Sequence, residues 1–284
     1  MSDFQKRVFD RSGLACLSDL ETSEWRELFT LLEKEQAVFL EKETHFRSPE
    51  YKWPRDALHT WSRIWEYPYC YYHLKIWRGG LGDPRYPVVA DVGSGVTFFP
   101  FCIAQMGCHV ICTDIDPVCS VDLHRATEHV TQAPGEVEFR LAEEFQIPLA
   151  SGEADAAYCI SLFEHVSNYE IIIREIARIL KPGGLFVVTM DLALEGSIGL
   201  DMKEYKAIAS FLGKYFEFKF PETTAHPSDL LHSKTGLLPT IPSTAFWLIW
   251  FNLKQRVLKP LLGLKPITIA HLTFFIQGAV LIRK

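Results

Sequence analysis

Between positions 23 and 43, Trp25, Leu28, Phe29, Leu32, Gln36, Phe39 and Leu40 recur at helical spacing with Glu and Lys opposite them. This predicts an amphipathic surface helix. Residues 55–78 are denser in aromatics, with Trp61, Trp65, Tyr67, Tyr69, Tyr71, Tyr72 and Trp77, and Pro68 is expected to break the segment before the glycines at 79, 80 and 82. From Val88 the pattern changes to short apolar runs alternating with helical stretches, as in a parallel sheet with crossover helices. Strands are predicted at 87–92, 109–114, 136–141, 155–160 and 185–191, with 215–220 and 272–283 closing the sheet as a pair. Ser167 and Glu170 read as a capping box, the Lys181-Pro182-Gly183-Gly184 run as the stop of that helix, and Asp201 and Glu204 as a second box. The expected fold is therefore α/β: a doubly wound, mostly parallel seven-stranded sheet. It carries an N-terminal helical, aromatic-rich cap over 1–85, a core over 86–284, and a C-terminal insertion at about 221–270.

Composition narrows the function classes. The 284 residues are 48% hydrophobic and 23% charged, ordinary for a globular chain with one substantial core. A formal charge of −6 offers no long-range attraction to phosphate backbones, so nucleic acid is not expected as a partner. Seven cysteines without Cys-x-x-Cys spacing read as reduced core thiols, and the charged start MSDFQKRVFDRSG lacks the apolar stretch of a secretory signal. A cytoplasmic location is expected. The run Phe246–Phe251 followed by Lys254, Arg256, Lys259 and Lys265 has the make-up of an interfacial helix, so 245–265 could serve core packing, a dimer contact or membrane-surface contact.

The chemistry concentrates at the first core strand. Val88-Val89-Ala90-Asp91-Val92 runs into Gly93-Ser94-Gly95 and then a helix, an arrangement in which glycines let a ligand approach the backbone. Asp114 ends the next strand, nineteen positions after Gly95, where a carboxylate can accept from a ribose diol. Position 98, where a dinucleotide fingerprint needs glycine, is Phe98, and that fingerprint has no use for Asp91; both disfavour NAD. Asp91 could instead cap amides of the turn. Asp116-Pro117 reads as N-cap and first-turn proline, and Asp155, at the start of its strand, as structural.

With its ordered segments ADVGSG, TDIDP, LAEEFQIPL, ADAAYCISLFEHV and LKPGGLFVVT, the sequence resembles the class I S-adenosylmethionine-dependent methyltransferases, of small-molecule type, across about 86–192. The resemblance implies a Rossmann-like methyltransferase fold and S-adenosylmethionine as cofactor. It implies Asp91, Gly93, Ser94 and Gly95 at the amino-acid end of the cofactor, Asp114 at the ribose, Ile115 against the adenine, Glu143 with Glu144 at the adenine amino group, and Ser161 to His165 beneath the sulfonium. Thr97 and Phe98 depart from the family, where a further glycine is frequent, and Glu143 stands where many relatives have Asp.

Methyl transfer from a sulfonium is an in-line displacement, for which alignment alone can supply roughly 7–11 kcal/mol. A hydroxyl acceptor additionally needs a base. Glu164 and His165 follow the fourth core strand at the sheet edge where ligands bind, so they are the catalytic candidates, with helix-start packing as the alternative reading. Trp61, Tyr67 and His73 are candidates for a substrate lid. No metal ligands are assigned. The expected function is O- or N-methylation of a small-molecule, glycan-type or lipid-type acceptor; the competing reading is a catalytically silent methyltransferase-like binding or scaffold protein. Neither the acceptor nor the oligomeric state is legible.

Overall fold

The computed structural model describes residues 7–82, 86–166, 168–195, 200–235 and 273–284. The proposed interfacial segment 245–265, most of the insertion, and Ser167 with its capping box fall outside these.

A central sheet is built from β1 (Ser12–Leu14), β2 (Val88–Val92), β3 (His109–Asp114), β4 (Glu136–Leu141), β5 (Ala154–Ile160), β6 (Leu180–Glu195), β7 (Phe216–Phe218), β8 (Glu222–Thr223) and β9 (Thr273–Arg283). Strands β4, β3, β2, β5 and β6 lie side by side and parallel, and β9 follows antiparallel to β6. The outer edge of β9 is shared: β7 pairs with Leu281–Arg283, and β1 pairs with Gln277 and Gly278 while holding β8 on its far side. The mostly parallel α/β sheet is as expected, including the closing pair β7 and β9. Among the described residues its nine strands exceed the expected seven because β1 and β8, of three and two residues, are too short to show a period and pair across a long stretch of chain.

Alternation along the strands divides the core into two layers. Val89, Val110, Tyr158, Leu185 and Val187 face α1 (Ser23–Lys42), α2 (Arg63–Gly80), α3 (Phe99–Ala104) and α4 (Pro117–His129). Ala90, Ile111, Ala157, Phe186 and Val188 face α5 (Tyr169–Ile179) and α6 (Met202–Tyr215). The box predicted at Asp201 and Glu204 caps α6 reciprocally, and the Asp116 side chain caps α4 by accepting from the Val118 amide. Asp155 accepts from the Val88 amide and pairs with Lys181, a structural role at the strand start.

Pro68 does not break the aromatic segment. It sits inside α2, where it deprives the Ile64 carbonyl of its helical donor, and the indole Nε1–H of Trp25 on α1 donates to that carbonyl at 2.8 Å instead. Helix α2 thus keeps its path and lays Trp65 and Tyr69 directly over β9 at Gly278, where an added Cβ would stand 2.8 Å from the Trp65 ring. All seven cysteines are buried free thiols. Among the described residues no helix is long and apolar enough to cross a membrane.

Candidate active site

The turn after β2 is fixed by hydrogen bonds that run across to the neighbouring strand. Gly93 and Ser94 amides donate to the Thr113 carbonyl, and the Gly95 amide donates to Asp114 Oδ2 at 2.9 Å. Gly93 and Gly95 have φ of 77° and 55°, where a side chain is strained. The second Asp114 oxygen accepts from the Asp116 amide at 3.0 Å. Asp114 is therefore the carboxylate that braces the turn, a role the sequence left open for Asp91. Asp91 instead accepts from the Tyr158 hydroxyl at 2.7 Å, on the buried face of the sheet. Burial, reinforced by the charge of Asp114, pushes its carboxyl up to about 8.

Beside this turn the side chains implied for the nucleoside stand open to solvent. Ile115 is 66% exposed, an apolar side chain with a free face next to Asp114. Glu143 and Glu144 are exposed on the loop after β4. Ser94 is buried, its hydroxyl turned to the Gly95 carbonyl. Two groups from the N-terminal segment also reach the turn: the Tyr51 hydroxyl accepts from the Val96 amide at 3.0 Å, and Arg47 donates to the Val96 carbonyl at 3.0 Å.

The end of β5 comes up against the same turn. Leu162 Cδ1 lies 3.0 Å from where a Cβ on Gly93 would be, so the two strand ends touch. Ser161, with φ of 48°, is held there against backbone preference. The Ser161 amide donates to the Thr189 carbonyl of β6. Its hydroxyl donates to Glu66 Oε1 at 2.8 Å, and the Thr189 hydroxyl donates to the same oxygen at 2.6 Å. Glu66 is wholly buried and paired with Arg63, which also donates to the Ser161 hydroxyl at 2.5 Å. The period-2 pattern of β6 explains the meeting: Leu185 and Val187 face α2, so Thr189, the last residue paired with β5, and Asp191 beyond it continue that face under the first turn of α2.

Glu164 and His165 follow in a single 3-10 turn, Phe163–His165. Both carboxylate oxygens of Glu164 and Oδ1 of Asp191 are buried without a hydrogen-bond donor among the described residues. Burial and the charge of Glu66 push Glu164 up to about 7; the Ser161 hydroxyl is near enough to ease that rise, although its proton points to Glu66. Asp191 is raised well above the carboxylate range by burial, then by Glu66 and Glu164. His165 is lowered by burial and by Arg63, and its ring lies 6.2 Å from that of Trp53, an indole 55% exposed. Among the described residues no group of three or more His, Cys, Asp or Glu side chains is placed to hold a metal ion.

Of the three side chains expected at a lid, Tyr67 is packed on the glycine turn, stacked on Phe99 at 4.8 Å and edge-on to Phe98. Trp61 is partly buried against the core. His73 is elsewhere: it is buried among Tyr69, Tyr72 and Phe220, ten residues and about 15 Å down α2 from Arg63, and does not reach the strand ends. Arg63, Glu66, Thr189 and Asp191 were not found in the sequence. A visible signal existed for two of them, a charged i,i+3 pair inside an aromatic run, and Asp191 closes its apolar strand as Asp91 and Asp114 approach the ends of theirs.

Residues 90–188 match the family model described as a methyltransferase domain. An uncharacterized methyltransferase of Mycolicibacterium gilvum is 28% identical over 141 residues, covering 49% of this chain and 52% of the relative. A ubiquinone biosynthesis O-methyltransferase of Xanthomonas oryzae pv. oryzae is 32% identical over 105 residues, covering 36% of this chain and 43% of the relative. The chain thus spans about half the length of the curated relatives it matches. Among solved structures, that of the [4+2]-cyclase SpnF superposes with a TM-score of 0.52 at 16% identity, over 96% of this chain and 98% of that one. This likeness is one of fold, and the named reaction of that protein is a reminder that fold alone does not set chemistry. Glycine turn, bracing aspartate and strand order agree with the family match: residues 90–188 of the chain are similar to the methyltransferase domains of the S-adenosylmethionine-dependent type.

Proposed function

We propose that the protein transfers a methyl group from S-adenosylmethionine to a small-molecule acceptor. The observation that carries this is the close approach of Leu162 to Gly93, whose added Cβ would stand 3.0 Å from Leu162 Cδ1, so that the donor turn and the end of β5, with Glu164 two residues beyond Leu162, come together. The residues suit the donor: a glycine turn at positive φ where a Cβ would crowd Leu162 and Tyr51, Asp114 at the ribose position, and an exposed Ile115 face for the adenine. When bound, S-adenosylmethionine supplies a methyl group whose carbon–sulfur bond breaks, with its electron pair kept by sulfur, as the acceptor's lone pair forms the new bond. The chain's own residues align and deprotonate. Arg63, Glu66, Ser161 and Thr189 form a closed hydrogen-bonded brace that fixes the end of β5. Glu164, poised near neutrality, takes the acceptor's proton. Neutral His165 and the indole of Trp53 line the outer side.

The test is thermal unfolding of the full chain with saturating S-adenosylmethionine, NAD or ATP. S-adenosylmethionine at a hundred times its Kd should add about 2.7 kcal/mol of stability, and Asp114→Ala should remove the shift while leaving a cooperative transition. Stabilisation by NAD alone overturns the reading. A shift retained in Asp114→Ala moves the ribose contact to another residue.

A further inference from the structure

Arg63 faces three buried carboxylates. Glu66 is satisfied by Arg63, Ser161 and Thr189, so the remaining imbalance rests on Glu164 and Asp191. Three of their oxygens, Oε1 and Oε2 of Glu164 and Oδ1 of Asp191, are buried with no donor aligned on them among the described residues; the Glu164 amide and the Ser161 hydroxyl are near enough only to ease the Glu164 charge. Leaving such atoms without donors is costly, and native structures seldom do so where no ligand comes. A neutral hydroxyl brings one proton to such a site. A primary ammonium brings three and a positive charge. The cluster opens to solvent alongside Arg63, whose side chain is 24% exposed, and the exposed indole of Trp53 beside His165 offers the kind of face that attracts organic cations.

We infer that the acceptor is an amine, bound as its ammonium ion by the Glu164 carboxylate and Oδ1 of Asp191, which have no partner among the described residues. This rests on the methyl-transfer reading of the site and names its substrate class. The ammonium R–NH3+ hands one proton to the Glu164 carboxylate, giving R–NH2 and the neutral acid; the freed nitrogen lone pair is the nucleophile. Glu164 and Ser161 lie within residues 90–188 matched by the family model, whereas Arg63, Glu66 and Asp191 lie outside it. The groups facing Glu164 are Arg63 and Glu66 from α2, Cys159 from β5 and Asp191 from β6, with His165 next in sequence. Binding of a cation among them favours the ionised carboxylates and so releases protons.

The experiment uses the full chain saturated with S-adenosylhomocysteine, so that no turnover occurs, and follows melting temperature and calorimetric heat with methylamine, benzylamine or phenethylamine against benzyl alcohol and phenol. At least one amine should bind about tenfold tighter than the alcohol or phenol, tightening further from about pH 6 to about pH 8, with protons released. Glu164→Gln and Asp191→Asn should each abolish the preference while keeping the S-adenosylmethionine shift. Both remove a buried negative charge with oxygens that lack a donor among the described residues, so ligand-free variants should melt no lower than the parent above neutral pH, which checks folding. Equal or tighter binding of the alcohol or phenol, no binding of any amine, a preference unchanged in both variants, or stabilisation by Mg2+ that displaces the amines overturns the inference. If S-adenosylmethionine itself does not bind, the proposed function fails instead, and the amine measurement still stands on its own.

Discussion

Glu66 is buried to its last atom, and Arg63, one helical turn earlier, is the cation it depends on. Replacing Arg63 by Met strands a carboxylate in the interior, at a cost of about 3–5 kcal/mol. Glu66→Gln keeps an acceptor for Ser161 and Thr189 and should cost far less; urea unfolding of both variants checks the ordering. His73, the side chain expected at a lid, has a different consequence. Burial first, with Lys219 adding to it, lowers its imidazole to about 3, and Nε2 has no partner among the described residues. Between about 6.5 and about 3 the unfolded chain takes a proton that the folded chain refuses, so stability falls with acid by about 1.4 kcal/mol per pH unit. His73→Phe, which fits the aromatic surroundings of Tyr69, Tyr72 and Phe220, should flatten this acid limb by about one proton, read from urea midpoints across that window. Glu164 acts with opposite sign: its folded carboxyl holds a proton that the unfolded one has lost, so its share of stability declines as pH rises from about 4.5 to about 7.

At the level of elements, Pro68 and Trp25 form a compensated pair that neither helix shows alone. The carbonyl of Ile64 loses its donor to the proline and regains one from the indole of the neighbouring helix. Trp25→Phe should then cost about 1–3 kcal/mol by leaving a helix carbonyl without a donor, over the loss of ring contact. In a Pro68→Ala background the restored backbone N–H can make the helical bond, and the penalty should shrink; a double-mutant cycle in unfolding free energy measures the difference. Equal penalties in both backgrounds would place the role of Trp25 in its stacking on Phe29. The same pair shows where sequence reading stops. Strands β2 to β6 and the capped helices α4 and α6 were legible because their signals are local: an apolar run, a turn, a cap. The continuity of α2 was not, because the group that rescues it lies thirty-nine positions away. The two short strands β1 and β8 were hidden for a related reason, since their ladder exists only once the sheet does.

Over the whole molecule, the proposed donor half and the proposed acceptor half of the site differ in how they are encoded. Glycine turn and Asp114 lie within one contiguous stretch and are held by backbone geometry, so both spacing and family resemblance reach them. The acceptor half is assembled from the first turn of α2 and the ends of β5 and β6, spread from Arg63 to Asp191, and period-2 alternation supplies the facing only when the packing of α2 is known. Asp91 illustrates the boundary: its place in the motif was legible, while its bond to Tyr158 comes from a residue on an adjacent strand that no local spacing reveals. The sheet itself carries one more consequence. β9 is the strand that covers the flank of β6 and receives both β7 and β1, yet in sequence it follows all of them. While the chain is being synthesised, everything that forms the site has left the ribosome before β9 has. Through that interval β6 presents a long, apolar, unpaired edge and the N-terminal strand has nowhere to dock, a state in which nascent chains stick to one another unless chaperones keep them apart.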